Sequence, residues 1–155
     1  MHRLALIAAA TTTWRLVSYN TQGTRLTRTA GDILTRLQGD VIGLQSTQEP
    51  AWRVSYDSSQ NVVSRRIGNY FTWHWPWFPS PNVNSSCGIA IALHCKRFKR
   101  ASVRQVYTPP DSLRGPAGAL RLQLNSRFDM FICSLYLPPI KSTIDKRTAP
   151  LLIDW

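Results

Sequence analysis

A strand–helix–strand pattern near the start of the chain constrains its fold more than any other feature. Residues 14–20 and 40–46 are two short, largely apolar runs that end in polar residues, and each predicts a β-strand. Between them, apolar residues recur at helical spacing from Leu26 to Leu37. A crossover helix makes its two strands parallel, so their ends meet at one edge of the sheet. We therefore expect Asn20 to lie beside Gln45 and Ser46, where open α/β sheets usually place their sites.

The rest of the chain predicts mainly β-structure. Alternating or apolar runs indicate strands over residues 89–93, 103–107, 120–124 and 128–136. The region 51–69 is ambiguous, because Val62, Val63 and Ile67 fit either a short helix or a strand. Residues 70–81 are rich in tryptophan and proline, and the prolines argue against a helix and against a central strand.

Several of these strand ends resemble motifs of the endonuclease/exonuclease/phosphatase superfamily, in its branch of AP endonucleases and LINE-type retrotransposon endonucleases. Residues 18–23, Ser-Tyr-Asn-Thr-Gln-Gly, are similar to the first motif, in which a strand ends in Asn. Residues 44–47, Leu-Gln-Ser-Thr, are similar to the Leu-Gln-Glu motif, and residues 135–138 to the Tyr-x-Pro motif. The resemblance implies an α/β (α+β) fold of the DNase I-like kind, with two stacked β-sheets flanked by helices.

The resemblance also implies roles for individual residues and Mg²⁺ as a cofactor. Asn20 would bind phosphate or the metal shell, and Tyr136 would contact the scissile phosphate. The alternatives are an Asn that caps a turn and a Tyr that only packs. Ser46 stands where the family has its metal-binding Glu, and a neutral hydroxyl does not replace a carboxylate for a hard cation. Glu49, three residues downstream, is a poorly placed substitute, so we expect a defective metal site.

Two later motifs of the family, Gly-Asp-x-Asn and Ser-Asp-His, are absent after Pro139. The chain therefore resembles the N-terminal half of such an enzyme, as an incomplete, retrotransposon-derived copy. We expect residues 1–13 to form a leader or the start of the first strand. Residues 14–139 would form the partial, truncated domain and residues 140–155 a C-terminal tail, with a missing C-terminal half as a partner.

Charge favours a polyanionic partner. The chain has 19 Lys and Arg against 8 Asp and Glu, a net charge of +11, which suits nucleic acid, DNA more than RNA. The alternative is charge that serves solubility alone. Exposed aromatic side chains beside positive charge can stack on bases, and basic turns can contact phosphates. The candidate nucleic-acid-binding residues are Arg65, Arg66, Trp73, Trp75, Lys96, Arg97, Lys99 and Arg100. The alternatives are burial of the tryptophans and a solvated basic hairpin tip.

Cysteine usage and hydropathy indicate the compartment. The three cysteines form no CxxC pair, which argues against a disulfide framework or zinc site and fits a reducing, intracellular location, including the nucleus. Secretion is not expected, because the apolar stretch Leu4–Ala10 has only seven residues before the polar Thr11. No apolar run approaches the ~20 residues of a membrane span, so we expect no membrane partner.

Two functional hypotheses follow. The first is a metal-dependent phosphodiesterase domain, an endonuclease in type, that is incomplete or degenerate. The second is a non-catalytic basic module that binds nucleic acid. They differ in one observable, because the second predicts salt-dependent binding without cleavage.

Overall fold

The computed structural model describes residues 13–22, 26–47, 62–76, 88–110 and 117–136. These residues form two β-sheets, one α-helix and a short 3-10 helix at Arg100–Ser102. The elements in chain order are β1 (Leu16–Asn20), α1 (Leu26–Leu37), β2 (Val41–Gln45), β3 (Val63–Ile67), β4 (Tyr70–Trp75), β5 (Ile89–His94), β6 (Val103–Tyr107), β7 (Ala117–Asn125) and β8 (Phe128–Leu135). The first sheet has the order β1-β2-β5-β4-β3 and the second the order β6-β7-β8.

The predicted crossover is present at the edge of the first sheet. Strands β1 and β2 are parallel, and the sheet's other neighbours are antiparallel. Helix α1 lies on one face of this sheet, where Leu34 packs with Ile42 and Leu44. The amphipathic spacing of α1 thus reflects the apolar face that the sheet presents to it.

A tight connection follows α1. Gln38 adopts a left-handed conformation with φ 49°, while its N–H still donates to the carbonyl of Leu34 at 3.1 Å. Gly39 then passes so close to the sheet that an added Cβ would lie 2.8 Å from Ile42 Cγ1 and 2.9 Å from Val17 Cγ2. The helix predicted over Leu26–Leu37 is confirmed, and close packing is the reason for glycine at position 39.

The main core lies between the two sheets. Ile91 and Leu93 of β5 face Leu120 and Leu122 of β7, and all four side chains are buried. The opposite face of β5 packs Ala90 and Ala92 against α1. The described part of the chain is thus layered as helix, five-stranded sheet and three-stranded sheet, and burial of apolar surface is the main force that holds such layers together.

The region 70–81 was predicted wrongly over its first six residues. Tyr70–Trp75 is strand β4, which pairs with β5 on one side and β3 on the other. The first proline, Pro76, comes directly after the strand, so it removes no hydrogen bond from the ladder. Of the ambiguous region 51–69, the part that the structure describes contains the strand β3, and residues 51–61 lie outside the described residues.

The strands predicted after residue 87 are confirmed, but they divide between two sheets. β5 joins the first sheet through β2 and β4, whereas β6, β7 and β8 form the second. The predicted leader and tail, apart from Thr13, lie outside the described residues.

One flank of the sandwich is apolar and open. The exposed large hydrophobic residues of the described chain all lie on the two edge strands β1 and β8, and they are Leu16, Tyr19, Phe128, Phe131 and Leu135. Leu16 is 69% exposed and Phe131 60%. We name this surface the open flank. Within the described ranges, no helix has the length and apolar character needed to cross a membrane.

Candidate functional site

The carboxyl ends of β1 and β2 meet at one edge of the first sheet, as the crossover predicted. Asn20 is the register partner of Gln45, and the N–H of Thr21 donates to the Gln45 carbonyl at 2.9 Å. The Gln45 amide Nε2 also donates to Ser18 Oγ at 3.1 Å. We name the end of the sandwich that carries Asn20, Thr21 and Ser46 the polar rim.

Asn20 itself forms a turn. Its side chain is exposed, and its Oδ1 accepts a hydrogen bond from the N–H of Gln22 at 2.9 Å. An Asn that bonds the backbone two residues on is an Asx-turn. The turn-capping alternative therefore describes one interaction of Asn20, and its role toward phosphate stays a prediction.

Ser46 lies inside the polar rim rather than on its surface. The residue is 3% exposed, has a left-handed φ of 58°, and its carbonyl accepts a hydrogen bond from Thr21 Oγ1 at 2.6 Å. Sequence reasoning missed Thr21, although a hydroxyl directly after a strand end is a common signal for such backbone bonds. Ser46 and Thr21 thus clamp the two strand ends together.

The donor set that the described residues of the polar rim offer differs from the one that Mg²⁺ prefers. In the part of the chain that the structure describes, the rim offers amide, hydroxyl and carbonyl groups without a carboxylate, and no three His, Cys, Asp or Glu side chains group as metal ligands. Mg²⁺ in proteins is usually held by one or two carboxylates with waters and phosphate oxygens. Glu49, the predicted substitute ligand, lies outside the described residues.

Tyr136 follows the end of β8 at the same end of the sandwich. The start of β8 lies near the start of β1, where the rings of Phe128 and Trp14 are 5.9 Å apart. Farther along, Ser134 lies over Gly43 of β2, with its Oγ 3.6 Å from where a Cβ on Gly43 would be. β8 therefore runs in the direction of β1 and β2, and Tyr136 emerges toward the polar rim, partly buried against the core.

Arg65 and Arg66 lie far from this rim. Both belong to β3, the edge strand farthest from β1 in the five-stranded sheet. Four strand spacings separate β1 from β3, which is about 19 Å across the sheet. Arg66 Nε donates to the Gly68 carbonyl at 3.2 Å.

Trp73 and Trp75 are not available to stack on bases, so this prediction was wrong. Their exposed fractions are 4% and 2%, and both rings belong to the core between the sheets. The indole Nε1 of Trp75 donates to the Tyr107 carbonyl at 2.9 Å. Large aromatic surfaces contribute most to stability when buried, and the hydrogen bond satisfies the one polar atom of the ring.

The basic turn lies at the opposite end of the sandwich from Asn20. Strand β5 starts beside Gln45 and ends at His94, and the turn with Lys96, Arg97, Lys99 and Arg100 follows it. Arg97 Nε pairs with Asp40 Oδ1 at 3.2 Å, and an Arg100 guanidinium nitrogen donates to Ser64 Oγ at 2.6 Å.

The two histidines that the structure describes, His74 and His94, do not supply acid–base chemistry at the rim. His74 is buried, its Nε2 lies 3.1 Å from Thr72 Oγ1, and burial, reinforced by the charge of Arg65, lowers its pKa to about 3. His74 therefore stays neutral at physiological pH. His94 lies at the other end, where its ring contacts Tyr70 edge-on at 4.9 Å.

The stacked sheets with one helix on an outer face define a DNase I-like α+β fold. Over 86% of its length the chain superposes on the crystal structure of an AP endonuclease from Leishmania major, with a TM-score of 0.60 and 13% sequence identity. The matched region is 43% of that chain, so this chain spans less than half the length of its structural neighbour. No protein-family model matches the sequence, and neither does any curated protein.

Proposed function

We propose that this chain is a nucleic-acid-binding domain built on a nuclease-type fold, without Mg²⁺-dependent phosphodiesterase activity of its own. The likeness to an AP endonuclease and the net charge of +11 support the nucleic-acid partner. DNA is the preferred form in this proposal. The free thiols of Cys95 and Cys133 support an intracellular, reducing location, including the nucleus.

The absence of Mg²⁺-dependent activity is proposed mainly because of the residue at position 46. The family resemblance calls for a metal-binding Glu there, whereas this chain has a buried, neutral side chain on a left-handed backbone. Weaker metal binding by several kcal/mol costs orders of magnitude in rate, since each 1.36 kcal/mol is about tenfold. In a complete enzyme of this family, Asn20 and Tyr136 at the same end of the sandwich would be the residues that meet the scissile phosphate.

The remaining part of the proposal is that a C-terminal half completes this fold in a retrotransposon-derived relative. The open flank supports this part. Both sheets end on this flank, and Leu16 and Phe131 are exposed there. Exposed apolar side chains on edge strands are typical of an interface. Reading the DNA downstream of the codon for Trp155 tests this part, and an in-frame Gly-Asp-x-Asn motif is the expected result.

A plasmid-nicking assay with Mg²⁺ or with EDTA tests the absence of activity. We expect no metal-dependent nicking by wild type, by Asn20→Ala or by Ser46→Glu. EDTA-sensitive nicking by wild type that Asn20→Ala abolishes would overturn the proposal. Circular dichroism must accompany Ser46→Glu, because a buried carboxylate without a partner destabilises the fold.

Binding is the positive half of the proposal and needs its own measurement. Fluorescence anisotropy with a labelled 20-base-pair duplex should show an affinity that falls steeply with salt, because each neutralised phosphate contributes a log–log slope of about −0.9. No binding in 50 mM salt, or binding that does not respond to salt, would contradict it.

A further inference from the structure

The two ends of the sandwich differ sharply in charge. The end opposite the polar rim, which we name the basic end, carries Lys96, Arg97, Lys99, Arg100, Arg104 and Arg127, from the turn after β5, the start of β6 and the β7–β8 turn. At the polar rim, the residues that the structure describes after β1, β2, β4, β6 and β8 carry no charge. Among the described residues, the positive charge that attracts a polyanion is therefore concentrated at the basic end.

Nearby carboxylates leave much of this positive charge unpaired. Asp40 already accepts from Arg97 Nε at 3.2 Å and from the N–H of Arg15 at 2.9 Å. Asp129 pairs with Arg121 at 2.6 Å, a bond that raises the Arg121 pKa. Lys99 and Arg127 are exposed and form no ion pair with another described residue.

Some of the basic residues line a groove at this end of the sandwich. Lys99, Ser102, Arg104, Asn125 and Ser126 line a groove of about 440 Å³ between the basic turn and the β7–β8 turn. Arg104 is held there, since its Nε donates to Gln123 Oε1 at 3.1 Å. Arg, Lys, Ser and Asn side chains are the groups that typically contact phosphate and sugar oxygens.

From this placement we infer that nucleic acid binds this protein through its sugar–phosphate backbone at the basic end, away from the polar rim. The inference rests on the proposed function and adds the location of the surface. A concave groove that carries the charges of Lys99 and Arg104 suits a rod-like backbone better than a flat bilayer, which favours nucleic acid over an anionic membrane.

The basic end and the polar rim are too far apart for one bound phosphodiester to contact both. Strand β5 has six residues and runs from one end to the other, so about 17 Å separates them. That distance corresponds to about five base pairs of duplex at 3.4 Å each. A phosphodiester held at the basic end therefore lies outside the reach of Asn20 and Tyr136, and binding is separable from the rim.

Two variants with equal net charge test the location. Lys99→Ala with Arg127→Ala removes two charges at the basic end, and Gln22→Glu with Thr108→Glu adds two acids at exposed positions near the polar rim. Each pair lowers the net charge from +11 to +9. Anisotropy with the labelled 20-base-pair duplex, across a salt series, compares both with wild type after circular dichroism has shown that they fold.

We expect the basic-end pair to weaken binding about tenfold or more in 100 mM salt and to reduce the log–log slope by up to about 1.8. The rim pair should stay within about threefold of wild type, because its charges lie more than a Debye length, about 10 Å, from the bound backbone.

Three results would overturn the inference. If the rim pair weakens binding as much as the basic-end pair, the surface lies elsewhere while the proposed function stands. If wild type binds and neither pair of substitutions changes its affinity, the surface also lies elsewhere and the proposed function stands. If wild type binds phosphatidylserine vesicles but not the duplex in the same buffer, the basic end is a lipid surface and the proposed function fails as well.

Discussion

The indole of Trp75 joins the two sheets, since its Nε1 donates a 2.9 Å hydrogen bond to the main-chain carbonyl of Tyr107. Its ring lies flat enough against β7 that a Cβ on Gly118 would sit 2.3 Å from Trp75 Cδ2 and Cε2. Gly118 is thus required by close approach, and Trp75 spans the core from β4 to β6.

Gly118→Ala should destabilise the protein by about 1–3 kcal/mol, because the added methyl group forces a buried ring or a strand to move. Gly31→Ala is the matched control, since its Cβ would meet nothing within 4 Å on the exposed face of α1. That control should stabilise the helix by up to about 1 kcal/mol. Urea unfolding measures both, and equal effects of the two substitutions would contradict the packing described.

Stability should fall as pH drops below the ordinary His pKa of 6.5. His74 is neutral in the folded state, where its pKa is about 3, and it gains a proton more easily once unfolded. Its contribution is complete above pH 6.5 and is lost by about 1.4 kcal/mol per pH unit on going down toward pH 3. Between pH 7 and 5.5 the expected loss is about 1 kcal/mol.

His74→Gln isolates this effect. The variant should remove most of the change in unfolding free energy between pH 7 and 5.5, whatever its stability at pH 7. His94→Gln is the control and should retain the change, because His94 is only half-buried. A pH dependence that survives His74→Gln would show that the buried imidazole is not its source.

Thr21→Val tests the clamp between the first two strands. The substitution keeps shape but removes the hydroxyl that lies 2.6 Å from the Ser46 carbonyl, so a buried acceptor loses its donor at a cost of about 1–3 kcal/mol. Thr35→Val is the control, because that hydroxyl bonds the Gly31 carbonyl on an exposed helix face. The control should change the unfolding free energy by less than about 0.5 kcal/mol.

Trp73→Phe should leave the affinity for the labelled duplex within about twofold of wild type while it lowers stability by about 1–3 kcal/mol, since its ring is buried rather than exposed to bases. Anisotropy and urea unfolding measure the two quantities. If the folded variant lost its affinity for the duplex, Trp73 would have a stacking role toward bases, and the prediction would be contradicted.

The open flank should make the isolated chain associate with itself. High salt screens the repulsion from the net charge of +11, so we expect association to grow between 50 and 500 mM salt. Leu16→Thr with Phe131→Thr should reduce it without loss of stability, because both side chains are exposed. Sedimentation velocity measures this, and a monomeric wild type in 500 mM salt would contradict the prediction.

Local patterns in the sequence determined the first half of the fold. The apolar spacing of α1 and the two flanking apolar strands require a parallel pair, because a short crossover helix permits no other arrangement. That alone places Asn20 beside Gln45 and Ser46. The sequence alone also showed that position 46 lacks a carboxylate, because this requires only the identity of the residue at a strand end.

Tertiary structure decided the rest, because burial and sheet membership depend on contacts between residues distant in the chain. The sequence around Trp73 and Trp75 left open an exposed aromatic loop beside burial in a core, and the pairing of β4 with β5 and β3 is what buries them. Likewise, the strand patterns did not assign β5 to one sheet and β6, β7 and β8 to the other. The antiparallel pairing of β5 with β2 is what sets the basic turn about 17 Å from Asn20 along the strands.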